Sequence, residues 1–159
     1  MLSPISIARN SIVCNSCGVE LEERLDTQVC FALYSAARVA SNAYREGLSA
    51  LGLTYTQYVT LLALWERDGV TVSALGERLR LDSGTLSPLI RRLETMGLVE
   101  RRRDQSDERM VTVHVTAEGH AMQPRVAQVQ KQTRQTLKLT AEEAIMLRDL
   151  ATRFCEAHE

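Results

Sequence analysis

Residues 71–103 read TVSALGERLRLDSGTLSPLIRRLETMGLVERRR, which predicts two short amphipathic helices joined by a tight turn and followed by a basic strand. Asp82 or Ser83 is placed to cap the second helix, and Gly97 is placed to end it. The apolar residues of the second helix recur at helical spacing and define its buried face: Leu86, Leu89, Ile90, Leu93 and Met96.

The other face of the second helix predicts contact with DNA. It offers hydroxyl side chains and arginines, with an acidic residue at its start: Asp82, Ser83, Thr85, Ser87, Arg91 and Arg92. A helix that packs on one side and carries short polar side chains and arginines on the other fits the major groove, where it bonds to base edges and phosphates. The alternative is a solvated helix in an ordinary bundle.

The residues after Gly97 predict a β-hairpin. Two apolar, β-branched runs, 98–103 and 110–115, flank the polar segment 104–109. A hairpin behind a helix-turn-helix is a wing, and an arginine at its tip can reach a minor groove or the flanking phosphates. Arg103 and Arg109 are therefore candidate DNA-binding residues, and the whole segment predicts a winged helix that binds double-stranded DNA.

Composition fits one small, mainly helical domain. The chain has 159 residues, of which 45% are hydrophobic and 4% aromatic, with a formal net charge of −1. That net charge alone argues against a nucleic-acid partner, but it is an average, and basic residues cluster between Arg91 and Arg109. The predicted fold class is mainly α with a small β wing.

The sequence predicts a cytoplasmic protein that is not an enzyme. No run is apolar enough to span a bilayer, and the first residues lack the features of a secretory signal. The four cysteines are then expected to be reduced, which favours redox or metal chemistry over structural disulfides. No phosphate-binding glycine loop, zinc-protease motif or nucleophile elbow is present, and no cofactor is expected.

Domain organisation follows from the helical patterns on both sides of the winged helix. Residues 1–20 are predicted to be a loose arm, and residues 21–159 a single domain with its winged helix at about 53–115. Long helices are predicted at about 21–50 and 116–157, the latter range holding one helix from Thr116 to about 137 and another that starts with a capping box at Thr140.

The apolar surface of these terminal helices exceeds what one small domain needs, so a homodimer is expected. A two-fold dimer would place two recognition helices on the half-sites of a palindromic operator.

Several of these segments resemble a known family. Residues 82–94 and the wing residues 107–109 resemble the MarR family of dimeric winged-helix regulators, over about 21–155 of the chain. Residues 30–34, 51–58 and 81–85 are more narrowly similar to its organic-hydroperoxide-sensing subgroup, OhrR. The resemblance implies a repressor that leaves its operator when a cysteine is oxidised by organic hydroperoxide.

The resemblance also implies a redox-sensing site. Cys30 matches the peroxide-reactive cysteine, Tyr44 and Tyr55 match tyrosines that bond to its sulfur, and Tyr34 is a further candidate. A thiolate attacks the peroxide O–O bond, and hydroxyl donors stabilise both the thiolate and the sulfenate. The alternative for Cys30 is an inert thiol beside an apolar stripe.

Helix geometry constrains how this site can form. Cys30 and Tyr44 are fourteen residues apart on one predicted helix, which separates them by about 21 Å along its axis. If Tyr44 serves Cys30, it therefore does so from the partner subunit.

The other cysteines depart from the subgroup. Some members carry a second, resolving cysteine near the start of the last helix, but residues 135–140 contain none. Either a small thiol captures the Cys30 sulfenic acid, or an accessory cysteine resolves it: Cys14, Cys17 or Cys155. Together with His158, these three cysteines are also one ligand set for tetrahedral zinc, and a further alternative is that they are incidental.

Two rival functions remain open. The first is a MarR-type regulator that responds to a phenolic ligand or to zinc, and its Cys30→Ser variant would respond as the wild type does. A thiol peroxidase would turn over with a thiol reductant.

Overall fold

A computed structural model describes residues 24–103 and 110–157. This part of the chain is mainly helical with one small antiparallel sheet, as predicted. In chain order its elements are α1 (Val29–Ser49), α2 (Tyr55–Glu66), β1 (Val70–Thr71), α3 (Val72–Leu79), α4 (Ser83–Thr95), β2 (Val99–Arg103), β3 (Val111–Val115), α5 (Ala117–Ala121), α6 (Gln123–Thr136) and α7 (Ala141–Glu156).

The chain divides into two compact units, Met1–Ser41 and Asn42–Glu159. In the first, the described residues form a short 3-10 helix, Leu25–Thr27, and the beginning of α1. The second contains the end of α1 and every later element. The assignment of residues 21–159 to one domain stays a prediction.

The first long helix begins later than predicted. α1 starts at Val29 rather than at Leu21, and residues 21–23 lie outside the described residues. Before it, the Thr27 hydroxyl donates to the Arg24 carbonyl over 2.8 Å. Such a local side-chain bond competes with helix propagation, and Gln28 then takes an extended backbone conformation that separates the two helices.

The sheet has the order β1–β3–β2, with both pairs antiparallel. β2 and β3 form the predicted hairpin, in which Val99 pairs with Val115 and Arg103 with Val111. The two-residue strand β1 was not predicted from the sequence. Its Val70 pairs with Val113, which joins the wing to the segment before α3.

The core of the second unit lies between α2, α4, the sheet and α6. Its most deeply buried side chains include Leu61, Leu64, Leu93 and Val113, each 0% exposed. The predicted buried face of α4 is confirmed at Leu86, Leu89, Ile90 and Leu93. Met96 is a wrong prediction, because α4 ends at Thr95 and the Met96 side chain is 38% exposed.

The predicted single helix from Thr116 to about 137 is two helices. Thr116 caps the first, as expected, since its hydroxyl accepts from the Gly119 amide over 3.0 Å. α5 then ends at Ala121 and α6 begins at Gln123. Pro124 has no amide hydrogen to continue the helical hydrogen bonds, which explains the break at this point.

The last helix, α7, begins as predicted at a capping box. Thr140 Oγ1 accepts from the Glu143 amide over 3.2 Å, and the Glu143 carboxylate accepts from the Thr140 amide over 2.8 Å. No residue of α7 is buried, and five large apolar side chains are exposed: Ile145, Met146, Leu147, Leu150 and Phe154. No helix within the described ranges has the length and apolar character needed to cross a membrane.

Candidate functional site

α3 and α4 form the predicted helix-turn-helix. Arg80 ends α3 in the left-handed backbone conformation (φ +54°), and the Leu81 amide donates back to the Gly76 carbonyl over 3.0 Å. Because the apolar side of α4 is buried, its opposite side faces outward. All predicted DNA-contacting side chains of this helix are exposed: Asp82, Ser83, Thr85, Ser87, Arg91 and Arg92.

Asp82 is the N-cap of α4. One of its carboxylate oxygens accepts from the Thr85 amide over 2.9 Å, and the other accepts from the Thr85 hydroxyl over 2.8 Å. These hydrogen bonds, first from the hydroxyl and then from the amide, lower the pKa of the Asp82 carboxyl. The hydroxyl hydrogen of Thr85 is therefore already used in a hydrogen bond. Its oxygen lone pairs and its methyl group stay free to contact a ligand.

We expect Asp82→Ala to lower the melting temperature at neutral pH. Because the folded-state pKa of Asp82 lies below its ordinary value of 3.8, its stabilisation is complete above that value and is lost as pH falls through the lower, folded-state pKa. Melting curves from pH 7 to pH 2 measure this effect, with Ser83→Ala as the neighbouring control. A melting-temperature difference that persists unchanged at pH 2 would contradict the role of the carboxylate.

The arginines of the wing fall into two groups. Arg101 donates through Nε and Nη2 to Glu94 Oε2, over 3.1 and 2.7 Å, and this bond lowers the pKa of the Glu94 carboxyl. Arg102 donates through Nε to Glu100 Oε1 over 2.8 Å. The Arg101–Glu94 pair joins β2 to α4, so it fixes the wing relative to the recognition helix.

The second group has no such partner in the part of the chain that the structure describes. Among residues 24–103 and 110–157, no carboxylate forms an ion pair with Arg91, Arg92 or Arg103. These three guanidinium groups lie on α4 and at the end of β2, and all are exposed. They are therefore available to phosphate oxygens. Arg109 lies outside the described residues, and its predicted contact with DNA stays a prediction.

We expect Arg103→Gln to reduce the slope of log Kd against log salt concentration by about 1 for each subunit bound, because each subunit loses one phosphate contact. Arg102→Gln is the matched control, since Glu100 already holds that side chain, and the slope should change less. Operator titrations at several salt concentrations measure both slopes. Equal changes for the two variants would show that ion pairing does not select the phosphate-binding arginines.

Three tyrosines form an aromatic cluster in the second unit. The Tyr44 ring lies 5.6 Å from that of Tyr55 and 5.2 Å from that of Tyr58, centroid to centroid. Tyr55 and Tyr58 are separated by 5.8 Å. Burial raises the pKa of Tyr55, and the neighbouring Tyr44 adds to that effect. The structure thus brings together the two tyrosines that the family resemblance assigns to one site.

Sequence reasoning gave Tyr58, a residue of α2, no functional role. The signal for it was its spacing of three residues from Tyr55, which puts both rings on one side of the helix. Tyr58 is 4% exposed, so it faces the core.

Cys30 and Tyr34 lie on the beginning of α1, in the first unit. Cys30 is exposed, and Tyr34 follows it by one helical turn. The Tyr34 hydroxyl accepts from Arg38 Nη1 over 3.1 Å, and the Arg38 guanidinium lies 5.6 Å from the centre of the Tyr34 ring. Tyr34 thus has a partner on its own helix.

Of the three accessory cysteines, the structure describes only Cys155. Cys155 lies on α7, is half-buried and lines an open cleft with Arg78 and Arg148. Cys14, Cys17 and His158 lie outside the described residues. Within those ranges no group of three or more potential ligands is arranged to hold a metal ion, and the zinc set stays a prediction.

Comparison with known proteins agrees with this geometry. The family model of the transcriptional regulators SarA/Rot matches residues 42–123. The chain is 45% identical over 118 residues to the HTH-type transcriptional regulator TtmR of Methylorubrum extorquens, an alignment that covers 74% of this chain and 60% of that protein. It is 41% identical over 106 residues to the organic hydroperoxide resistance transcriptional regulator of Bacillus subtilis, covering 67% of this chain and 72% of that one.

A solved structure extends the comparison to a protein on DNA. The crystal structure of overoxidized AbfR bound to DNA matches with a TM-score of 0.70 and 33% sequence identity, covering 87% of this chain and 97% of that one. AbfR is a protein of Staphylococcus epidermidis.

Proposed function

This chain belongs to the MarR/SarA family of winged-helix transcriptional regulators, and from this we propose that it is a homodimeric repressor that leaves a palindromic operator when Cys30 is oxidised by organic hydroperoxide. The packing of Tyr44 against Tyr55 carries the proposal, because these are the two tyrosines that the resemblance assigns to the reactive sulfur. The name of the Bacillus subtilis relative, a regulator of organic hydroperoxide resistance, supports the same signal.

In this proposal α4 enters the major groove of the operator. Ser83, Ser87 and Arg91 bond to base edges, and the methyl group of Thr85 is suited to contact a thymine methyl. Arg92 and Arg103 bind phosphates, Arg109 reaches the minor groove or the backbone, and Asp82 acts through the helix that it caps.

The dimer is supported by apolar surface at both ends of the described chain. On α1, Val29, Phe31 and Val39 are between 39% and 63% exposed, and α7 exposes five large apolar side chains. Burial of such surface against a second copy stabilises a dimer. A two-fold dimer also presents two recognition helices to two half-sites, which gives operator binding its dependence on their spacing.

The chemistry at Cys30 is a two-electron oxidation. The thiolate attacks the terminal oxygen of the hydroperoxide and the O–O bond breaks, which gives a sulfenic acid and an alkoxide. Transfer of the proton from the sulfenic acid to the alkoxide then leaves the sulfenate and the alcohol. Hydroxyl groups of Tyr44 and Tyr55 donate to the thiolate and then to the sulfenate. Since Cys30 and Tyr44 both lie on α1, fourteen residues apart, Tyr44 serves the Cys30 of the other subunit.

A mobility shift tests the proposal. Wild type and Cys30→Ser are each bound to a palindromic operator fragment and treated with organic hydroperoxide. Release of wild type alone is the expected result, and mass spectrometry of the released protein then identifies the partner of the sulfur. Because AbfR was crystallised on DNA in its overoxidized form, the protein that stays bound is also analysed by mass spectrometry to identify its oxidation state. Retention of both proteins would contradict peroxide sensing, and release of both would place the signal at Cys14, Cys17 or Cys155.

We expect Tyr44→Phe and Tyr55→Phe to leave operator affinity intact and to slow oxidation of Cys30, because each loses one hydroxyl donor to the thiolate. The rate of sulfenate formation, followed with a sulfenate-specific trap, measures the effect. Tyr34→Phe is the comparison variant and should have the smaller effect, since the family resemblance assigns the donors to the sulfur to Tyr44 and Tyr55, while the Tyr34 hydroxyl accepts from Arg38. A wild-type oxidation rate in both Tyr44→Phe and Tyr55→Phe would contradict the assignment.

A further inference from the structure

Tyr58 forms the buried base of the tyrosine cluster. Its side chain is 4% exposed, whereas that of Tyr55, one helical turn earlier, is 36% exposed. The Tyr58 ring is stacked on Tyr44 and also contacts Tyr55. Any displacement of either neighbouring ring therefore acts on Tyr58.

The hydroxyl group of Tyr58 joins the cluster to another helix. Gln130 Nε2 on α6 donates to Tyr58 Oη over 2.9 Å, across 72 residues of sequence. Burial raises the pKa of Tyr58 to about 12, although the hydrogen bond from Gln130 opposes this rise. The phenol thus stays protonated at physiological pH, and the bond to Gln130 joins two neutral groups.

The same stretch of α6 also packs closely on α1. Val126 and Val129 are buried, and a Cβ added to Gly47 would lie only 2.7 Å from Val129 Cγ1. Gly47 follows Tyr44 by three residues, or about one helical turn. Apolar packing of this kind is non-directional, so the hydrogen bond to Tyr58 is the contact that is sensitive to the orientation of the cluster.

α6 is connected in turn to the end of the recognition helix. It follows α5, whose N-cap Thr116 donates through its hydroxyl to the Gly97 carbonyl over 2.5 Å. The Thr116 amide donates to the Leu98 carbonyl over 3.1 Å. A displacement of α6 is therefore passed through α5 to the residues at which α4 ends.

We propose that Tyr58 is a positioning residue that transmits the state of Tyr44 and Tyr55 to α6 through its hydrogen bond from Gln130. The proposal rests on the proposed function. In the reduced protein the bond holds α6 in the DNA-binding arrangement. Oxidation at the neighbouring sulfur displaces the Tyr44 and Tyr55 rings, Tyr58 moves with them, and the bond is lost. The thiol chemistry itself does not need the bond.

The test compares Tyr58→Phe, Gln130→Leu and the double variant with wild type. Gln128→Leu, the same substitution at an exposed position of the same helix, is the matched control. Three quantities are measured: the operator Kd of the reduced protein, the Kd after oxidation with an organic hydroperoxide, and the rate of sulfenate formation at Cys30. The melting temperature of each variant is recorded to verify folding.

We expect each single variant to raise the reduced-state Kd roughly three- to tenfold for each hydrogen bond lost, one in each subunit of the proposed dimer. The oxidised-state Kd and the oxidation rate stay at wild-type values, so the ratio of the two Kd values shrinks. The double variant equals either single variant, because both remove the same bond. Gln128→Leu behaves as wild type.

Three results would overturn the inference. An unchanged ratio of the two Kd values would reduce Tyr58 to a packing role, and additive effects in the double variant would show that the hydrogen bond is not the link. A slower oxidation rate in Tyr58→Phe would place its action at the sulfur. Failure of the proposed function is distinguishable from these, since wild type itself would then have equal Kd values in both states.

Discussion

Replacing Gly119 with alanine is expected to destabilise the winged-helix unit by about 3 kcal/mol and to abolish operator binding. The added Cβ would lie 2.1 Å from the Leu98 carbonyl oxygen and 2.7 Å from Val115 Cγ1. The carbonyl is backbone and already accepts the Thr116 amide over 3.1 Å. It cannot move away without breaking the connection between the end of α4 and the start of α5.

Urea denaturation measures this loss, and Gly97→Ala is the matched control. Gly97 has a φ of +73°, but a Cβ added to it would meet nothing within 4 Å, so only the left-handed backbone conformation opposes alanine there. That substitution should cost about 1 kcal/mol. Equal losses for the two variants would show that α5 does not approach the Leu98 carbonyl as closely as the structure indicates.

Leu150→Glu on α7 is expected to give a monomer and to weaken operator binding by about 100-fold or more, because two half-sites are no longer bound together. The Leu150 side chain is 54% exposed and belongs to the apolar face of a helix without buried residues. In the proposed dimer this face is covered by the second copy. A carboxylate placed there would lose its hydration without gaining a partner.

Thr152→Glu is the control for the added charge, because helical periodicity puts Thr152 on nearly the opposite side of α7 from Leu150. It should remain a dimer. Sedimentation gives the mass of each variant, and titration of an operator with two half-sites gives the affinity. A dimeric Leu150→Glu with normal affinity would mean that α7 does not form the interface.

The parts of the fold that were predictable from sequence depend on local signals. The cap of α4 at Asp82 or Ser83, the buried face of α4, the stop signal of Gly97 just beyond α4 and the capping box at Thr140 each follow from residues within about one or two helical turns. The misplaced features have other causes. β1 is defined only by its pairing with β3, some forty residues later along the chain.

Two other differences between prediction and structure have local signals in the sequence that were misinterpreted. The start of α1 depends on a turn at Thr27, and the break before α6 depends on Pro124 within a helical apolar pattern. In both places the apolar pattern of the sequence runs on without a break, whereas the helical hydrogen bonds of the backbone are interrupted.

The candidate site was predictable in its residue types but not in its contacts. The sequence indicated which arginines are concentrated on the wing, but the distinction between Arg101 and Arg103 depends on Glu94, a residue of another element. Similarly, the three-residue spacing of Tyr55 and Tyr58 is a local signal, whereas the bond from Gln130 crosses 72 residues. The environment of Cys30 is still harder to predict from the sequence, because in the proposed dimer it includes a tyrosine of a second chain.

The ion pairs of the wing have a consequence for how such a regulator finds its target in a genome. Arg101 and Arg102 are held by Glu94 and Glu100, so part of the positive charge of the wing is neutralised before any DNA is met. Non-specific affinity comes almost entirely from phosphate neutralisation, and a chromosome offers an enormous excess of competing sites. A wing with fewer available charges is retained less by random sequence, so a larger share of the molecules is left to occupy the operator.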